Sequence, residues 1–121
     1  MPFAAAAVDM RPLSRLLKAL ADDTRLRIVA LLAHGELCVC HIEQALDLKQ
    51  ANVSRQFAVL RAANVVAARR AGTWTYYQLA PQTDADCKRL LRTLVDSFAK
   101  RERLRKDVEK LIRVRGPGSC K

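Results

Sequence analysis

The stretch "QANVSRQFAVLRAAN", residues 50–64, decides how the rest of this sequence is interpreted. Val53, Phe57 and Leu60 recur at the spacing of one helical face, and polar side chains occupy most of the positions between them. Asn64 ends the segment and tolerates the left-handed backbone conformation that often follows a helix. The pattern predicts an amphipathic helix that packs on one side and keeps a polar face exposed.

A second, shorter helix is predicted immediately before this one. Ile42, Ala45 and Leu46 lie at helical spacing within residues 38–46, and the polar residues 47–50 then interrupt the pattern. Two short helices joined by a tight turn, the second with a polar exposed face, are typical of a helix-turn-helix. Residues 38–64 therefore predict a helix-turn-helix unit.

The residues after Asn64 change from helical to β periodicity. Val65 and Val66 precede a turn region that contains Gly72, and the β-prone residues 74–77, "WTYY", follow it. A glycine-containing turn between two β-rich arms predicts a hairpin, and a hairpin that follows a helix-turn-helix is a wing. The predicted fold class is mostly α with a small β-hairpin, a winged helix-turn-helix.

Further helices are predicted at both ends of this unit. Leucines at helical spacing fall within residues 12–21, and another helix follows the Asp-Asp-Thr start at residues 22–24. One long helix is predicted over residues 84–114, with a single apolar seam. A small domain cannot bury so long a seam alone, so we expect a homodimer through the first and last helices. The seam consists of Leu91, Leu94, Phe98, Leu104, Val108 and Leu111.

The charge balance indicates a nucleic-acid partner. The chain has 121 residues and a formal net charge of +10, and a basic surface neutralises phosphates and releases their counterions. Residues 1–83 hold 10 Lys/Arg against 6 Asp/Glu and residues 84–121 hold 12 against 6, so the excess is not confined to a tail. We assign residues 1–115 to one domain for DNA binding and dimerisation, and residues 116–121 to a flexible C-terminal tail.

The distribution of apolar residues predicts a cytoplasmic protein. No apolar run approaches the roughly 20 residues that span a bilayer, so no membrane partner is expected. In a reducing compartment, cysteines are expected to be metal ligands, redox thiols or core residues before they form structural disulfides. The four cysteines are Cys38, Cys40, Cys87 and Cys120.

The polar face of the second helix and the wing supply the candidate contacts with double-stranded operator DNA. In the major groove Arg pairs with guanine and Gln with adenine, while Ser can hold a phosphate. Wing residues are better placed for phosphates or the minor groove. The predicted contacts are Gln50, Asn52, Ser54, Arg55 and Gln56 in the helix, with Arg69, Arg70 and Thr73 in the wing.

The stretch "ELCVC", residues 36–40, places two thiols one residue apart at a predicted helix start. Residues i and i+2 of a regular helix point about 200° apart, so both sulfurs reach one ion only if the helix begins late or unwinds. Soft centres such as trivalent arsenic prefer thiolates, and closing two sulfurs on one would distort the scaffold of the recognition helix. Redox sensing and core packing are the alternative interpretations of Cys38 and Cys40.

Four stretches together resemble the ArsR/SmtB-type family of winged-helix repressors. They are "LADDTRLRIVALL" at 20–32, "ELCVC" at 36–40, "QANVSRQFAVLRAANVV" at 50–66 and "RRAGTWTYYQL" at 69–79. Within the family, "ELCVC" resembles the arsenic-responsive branch. The resemblance implies a dimeric repressor that releases operator DNA when trivalent arsenic or antimony binds the thiolates of Cys38 and Cys40.

The sequence departs from the pattern of the arsenic-responsive branch at three positions. Glu43 stands where that branch often has a third cysteine, His41 where aspartate is common, and Gln56 where the recognition helix usually has histidine. We expect the third ligand to be Cys120, ahead of Cys87, or the site to have two thiolates only. A two-thiolate site would suit a methylated arsenical.

Other ligands and functions follow from the same residues. No constitutive cofactor is expected, and cadmium or lead could take the place of arsenic. The predicted long helix has no histidine beside its acidic residues, which disfavours zinc sensing there. A redox-sensing repressor and an architectural DNA-binding protein without a ligand are the rival regulators. An enzyme is disfavoured, because no Cys-x-x-Cys follows a strand and no acid, base and nucleophile constellation occurs.

Overall fold

The computed structural model describes residues 9–115, and over this range the chain forms six helices and a three-stranded antiparallel sheet. The predicted tail with Cys120 lies outside the described residues. No helix within residues 9–115 is both long and apolar enough to cross a membrane. In chain order the elements are α1 (Arg11–Leu20), α2 (Asp23–Leu32), β1 (Leu37–Cys38), α3 (Val39–Leu46), α4 (Gln50–Ala62), β2 (Val66–Ala71), β3 (Trp74–Leu79), α5 (Ala85–Phe98) and α6 (Glu102–Val114).

Helices α3 and α4 form the predicted helix-turn-helix. Helix α3 stops where Asp47 adopts the left-handed conformation, with φ 54° and ψ 49°, and its backbone N–H donates back to the last turn. Helix α4 buries Val53, Phe57 and Leu60, the three residues whose spacing predicted it. Asn64 follows with φ 59°, also left-handed. The winged helix-turn-helix prediction is confirmed.

The wing is a tighter hairpin than the sequence predicted. Strands β2 and β3 pair from Val66 opposite Leu79 to Ala71 opposite Trp74, so only Gly72 and Thr73 form the turn. Gly72 takes φ 63°, which a residue without a Cβ adopts at little cost. The wing is therefore paired as two strands almost to its tip.

Strand β1 was not predicted. It has two residues, and they pair with the wing strand β3, with Leu37 opposite Tyr77 and Cys38 opposite Tyr76. The strand order is β1-β3-β2, so β3 lies in the middle of the sheet. The residue that precedes helix α3 is thus hydrogen-bonded into the same sheet as the wing.

The prediction of one long helix over residues 84–114 is wrong, because the chain breaks after Phe98 and restarts at Glu102. Helix α5 ends in a tight turn, in which the backbone N–H groups of Lys100 and Arg101 donate to the carbonyls three residues earlier, those of Ser97 and Phe98. Helix α6 then turns back on the domain, where its half of the apolar seam packs against α2 and α3. Burial against the chain's own core satisfies that half of the seam without a second copy.

A buried ion pair fastens α6 in this position. Asp107 is 5% exposed and accepts two hydrogen bonds from the Arg27 guanidinium of α2, at 2.8 and 2.9 Å. Bidentate Arg–carboxylate pairs fix orientation as well as distance. Leu104 and Leu111, on either side of Asp107, are buried with it. Helix α6 is therefore a support for α2 and α3.

Candidate functional site

The two thiols of "ELCVC" meet because helix α3 begins late. Cys38 is not helical: it has φ −69° and ψ 140° and ends strand β1, while Cys40 lies in the first turn of α3. This strand-to-helix junction brings the two Sγ atoms to 3.1 Å. The geometry is the one that the i, i+2 spacing required for both sulfurs to reach a single ion.

The thiol pair is shielded by the domain. Cys38 is 2% exposed, and Cys40 is half-buried. Two ligands that each lie about 2.3 Å from a metal can be at most about 4.6 Å apart, so the pair fits around one soft centre. Cys38 and Cys40 could therefore hold a thiophilic ion in a position with little access for water.

A third ligand for this pair is not found within residues 9–115. No three Cys, His, Asp or Glu side chains of this range form a group able to hold a metal ion. Cys87 is buried at the start of α5, where it lines a separate cavity with Pro12 and Asn64. It does not join Cys38 and Cys40, which is contrary to its role as a possible third ligand. Cys120 lies outside the described residues.

The two ionisable side chains that follow the thiols in α3 are half-buried. Burial lowers the pKa of His41, and the positive charge of Arg115 lowers it further. Burial also raises the pKa of Glu43, which stands where a third cysteine was sought. In both cases burial disfavours the charged form of the side chain.

An ion pair ties the thiol-bearing strand to the wing. Arg69 of β2 donates two hydrogen bonds to Glu36, at 2.7 and 2.8 Å, and its guanidinium lies 4.7 Å from the centre of the Tyr76 ring. Tyr76 is the strand neighbour of both Cys38 and Arg69, so the side chains of all three share one face of the sheet. Arg69 is predicted from the sequence to contact DNA, and in the structure it pairs with Glu36. As a DNA contact, Arg69 stays a prediction.

The side chains of α4 that are predicted to contact DNA differ in exposure and in hydrogen bonding. Gln50, Ser54 and Arg55 are exposed. Asn52 and Gln56 are half-exposed and bonded to each other, with Gln56 Nε2 donating to Asn52 Oδ1 at 3.0 Å. In the wing, Arg70 and Thr73 are exposed at or next to the turn. These exposed side chains form a polar surface on α4 and the wing.

Arg25 of α2 completes this surface, and the sequence analysis did not predict it. Its Nη1 donates to Gln56 Oε1 at 2.9 Å, and its Nε donates to the Ala19 carbonyl at 2.6 Å. The residues that form this bond lie 31 positions apart in the sequence, and no local pattern signals a pair at that separation. Arg25 therefore joins the end of α1 to the recognition helix.

Aromatic packing connects the recognition helix to the sheet. The rings of Phe57 and Tyr77 stack with centroids 3.7 Å apart and an interplanar angle of 13°. Tyr77 of the wing is thus packed against α4. The fold and the polar surface together define a transcriptional regulator with a winged helix-turn-helix.

Comparison with known proteins places the chain within this class. Residues 22–68 match the family model described as "Bacterial regulatory protein, arsR family". A solution structure of a homodimeric winged helix-turn-helix domain from Mycobacterium bovis, a possible ArsR-family transcriptional regulator, is 34% identical with a TM-score of 0.61. The match covers 81% of this chain and 92% of that one. The chain belongs to the ArsR family.

Two curated relatives carry arsenic in their names. The chain is 46% identical over 81 residues to the arsenic resistance transcriptional regulator ArsR1 of Pseudomonas putida, a match covering 66% of this chain and 63% of the relative. It is 47% identical over 72 residues to the arsenical resistance operon repressor of Escherichia coli, covering 59% and 62%. The chain thus spans somewhat less than two thirds of each relative. These relatives are regulators of transcription, not enzymes.

Proposed function

We propose that this protein is an arsenic-responsive repressor. In this proposal a cytoplasmic homodimer binds an inverted-repeat operator and releases it when trivalent arsenic or antimony binds Cys38 and Cys40. The observation that carries the proposal is the 3.1 Å separation of the two sulfurs at the entrance to the helix-turn-helix. The names of the two curated relatives support arsenic as the inducer.

The chemistry at the thiol pair is an exchange of ligands on arsenic. In arsenous acid, arsenic carries three hydroxyl groups. Each thiol that replaces a hydroxyl forms one As–S bond and releases one water, so Cys38 and Cys40 leave one hydroxyl on arsenic, which a third thiol can replace with release of a third water. Thiolates are preferred by soft centres, which accounts for selectivity over hard cations such as Mg²⁺.

The position of the two thiols explains how binding would weaken DNA affinity. Cys38 belongs to the sheet that carries the wing, and Cys40 belongs to the first helix of the helix-turn-helix. Bonding both sulfurs to one atom fixes the angle between β1 and α3. The wing and α4 contact the same duplex, so a change in that angle moves one contact surface relative to the other.

The dimer is proposed to form through α1 and α5. These helices contact each other, and Leu17 of α1 is 50% exposed. Helix α6 is less suited, because its apolar face is already buried against α2 and α3. A two-fold dimer would set two copies of α4 in successive major grooves, about one helical turn of DNA apart.

The experiment is an inducer titration on fluorescent operator DNA with fully reduced protein. The operator is first selected from a random duplex library with the wild-type protein. We expect Cys38→Ser and Cys40→Ser to bind DNA normally and to ignore arsenite, antimonite and methylarsenite. Cys87→Ala is the matched control, since it removes a thiol elsewhere and should leave release intact. Release by arsenite in both serine variants would contradict the site.

A thiol-based redox switch is the second candidate, because two sulfurs in contact are also suited to oxidation. The same titration separates the two functions. Release by peroxide that arsenite cannot reproduce would indicate the redox switch, and release by cadmium or lead alone would change the ion. A Cys120→Ser variant tests whether the tail supplies a third thiolate.

A further inference from the structure

Three side chains near the start of the recognition helix form a chain of hydrogen bonds with a fixed direction. Arg25 donates to Gln56 Oε1 at 2.9 Å, and Gln56 Nε2 donates to Asn52 Oδ1 at 3.0 Å. Asn52 lies in the first turns of α4 and is half-exposed, so a DNA base can reach it. Arg25 itself is half-buried.

The direction of these hydrogen bonds follows from the chemistry of the Arg25 guanidinium. A guanidinium has only donors, so the Gln56 atom that faces it must be the carbonyl oxygen. The amide nitrogen of Gln56 then faces Asn52, and the Asn52 atom that receives it must again be an oxygen.

Arg25 can impose this order because it is held on its other side. Its Nε bonds the Ala19 carbonyl at 2.6 Å, and its backbone N–H bonds the Asp22 carboxylate at 3.0 Å. The carbonyls that end a helix attract a cation, which favours the guanidinium at this place. Arg25 is therefore anchored to the end of α1 and the start of α2.

We infer that Arg25 is a positioning residue for sequence recognition, and that it makes Asn52 a reader with donors only. A free asparagine binds adenine through its oxygen and its nitrogen together. Here the Asn52 oxygen is turned towards Gln56, so the NH₂ group is left to meet the base. Gln56 is bonded at both ends and does not read adenine itself. This inference rests on the proposed operator binding.

The base edge that suits a donor-only reader is guanine. Guanine presents two acceptors in the major groove, N7 and O6, whereas adenine presents one acceptor and one donor, and cytosine presents a donor. We expect the operator position contacted by Asn52 to be guanine, preferred about fivefold or more over adenine and cytosine.

The experiment reverses the direction of the hydrogen bond between Gln56 and Asn52 with one substitution, Gln56→Glu. Glutamate keeps the bond from Arg25 but cannot donate to Asn52, so Asn52 turns its NH₂ group inward and its oxygen outward. Binding to a duplex library, read by sequencing, should show the guanine preference at one position per half-site replaced by cytosine or adenine. Asn52→Asp presents an acceptor directly and should shift the same position in the same direction.

The control is Gln44→Glu, which adds the same charge on the exposed surface of the neighbouring helix α3. It should weaken binding to all sequences and leave every base preference unchanged. Arg25→Met tests whether Arg25 orients Gln56. Without the guanidinium, the Gln56 amide can face either way, so the preference for guanine over the other bases should become smaller. Preferences are read from bound molecules, so a loss of stability does not alter them.

The outcomes separate this inference from the proposed function. If the wild-type protein selects no operator, the proposed function fails. If it selects an operator and responds to arsenite, but Gln56→Glu and Asn52→Asp keep the wild-type base preference at every position, only the role of Arg25 and Asn52 is overturned.

Discussion

The two helices of the helix-turn-helix begin in opposite ways. We call the start of α3 the thiol end and the start of α4 the reading end. At the start of α3, two thiols are packed at a strand junction and the backbone is paired with the wing. At the start of α4, polar side chains face outward; Arg25 bonds Gln56, and Gln56 bonds Asn52. The thiol end is buried and its backbone is paired with the wing, while the reading end is exposed and its side chains are held by hydrogen bonds. In the proposed mechanism, a ligand at the thiol end changes the placement of the reading end without touching it.

Phe57 joins the two ends, and its removal should have the largest effect. It is 1% exposed and stacks on Tyr77, whose backbone pairs with Leu37 next to the thiols. Phe57→Ala should lower the free energy of unfolding by about 3–5 kcal/mol, measured by urea denaturation. Val59→Ala on the same helix, at a residue 41% exposed, should cost far less. Equal losses would show that the stacked rings do not join the ends.

Asp107 tests the support behind the thiol end. Asp107→Asn leaves the Arg27 guanidinium without its carboxylate and should lower the free energy of unfolding by about 1.5–3 kcal/mol. Glu109→Gln, at an exposed position of the same helix, is the control and should be nearly neutral. An unchanged denaturation midpoint in Asp107→Asn would mean that α6 is held by apolar burial alone.

Arg55 tests the reading end in isolation. Arg55→Ala should weaken specific operator binding by about 1–3 kcal/mol, which is roughly fivefold to 150-fold in Kd. The arsenite concentration that releases the remaining complex should not change, because Arg55 is an exposed residue of α4 and takes no part in the proposed binding of arsenic. Anisotropy at constant salt measures both quantities. An Arg55→Ala protein with full operator affinity would remove Arg55 from the DNA contacts.

Glu36 tests the connection from the thiol end to the wing, and the expected effect on stability is the smallest. The Arg69 guanidinium holds the pKa of Glu36 below its usual value. The pair therefore stabilises the folded protein fully at pH values above the ordinary glutamate pKa, and the contribution disappears as pH falls through the lowered pKa. Thermal denaturation of Glu36→Gln should differ from wild type at neutral pH and converge with it in acid. A gap that persists in acid would contradict this account.

Much of the fold could be predicted because its signals are local. The spacing of Val53, Phe57 and Leu60 predicted α4, and Gly72 between β-prone arms predicted the wing. Strand β1 escaped prediction, because two residues cannot show a period. The break after Phe98 escaped as well, because residues 99–101 contain neither glycine nor proline, and the six-residue step from Phe98 to Leu104, about 240° around a helix, was not recognised as a change of face. Packing on α2 and α3 then fixes where the chain turns back.

The candidate site could be predicted only in part for a related reason. Cys38 and Cys40 are neighbours in the sequence, so their spacing alone indicated that the helix must begin late for both to bind one ion. Glu36 meets Arg69 across 33 positions, and Arg25 meets Gln56 across 31. Such pairs depend on how the elements pack, which a single sequence does not display.

The Arg27–Asp107 pair also has a consequence for synthesis of the chain on the ribosome. Its two residues are 80 positions apart, so α2, α3, α4 and the wing are all translated before the carboxylate that fastens α6 exists. Until then the apolar sides of α2 and α3 that α6 later covers are open to water or to chaperones. A nascent chain thus carries the residues of α4 well before those of α6, and the buried Arg27–Asp107 pair forms only when α6 has emerged.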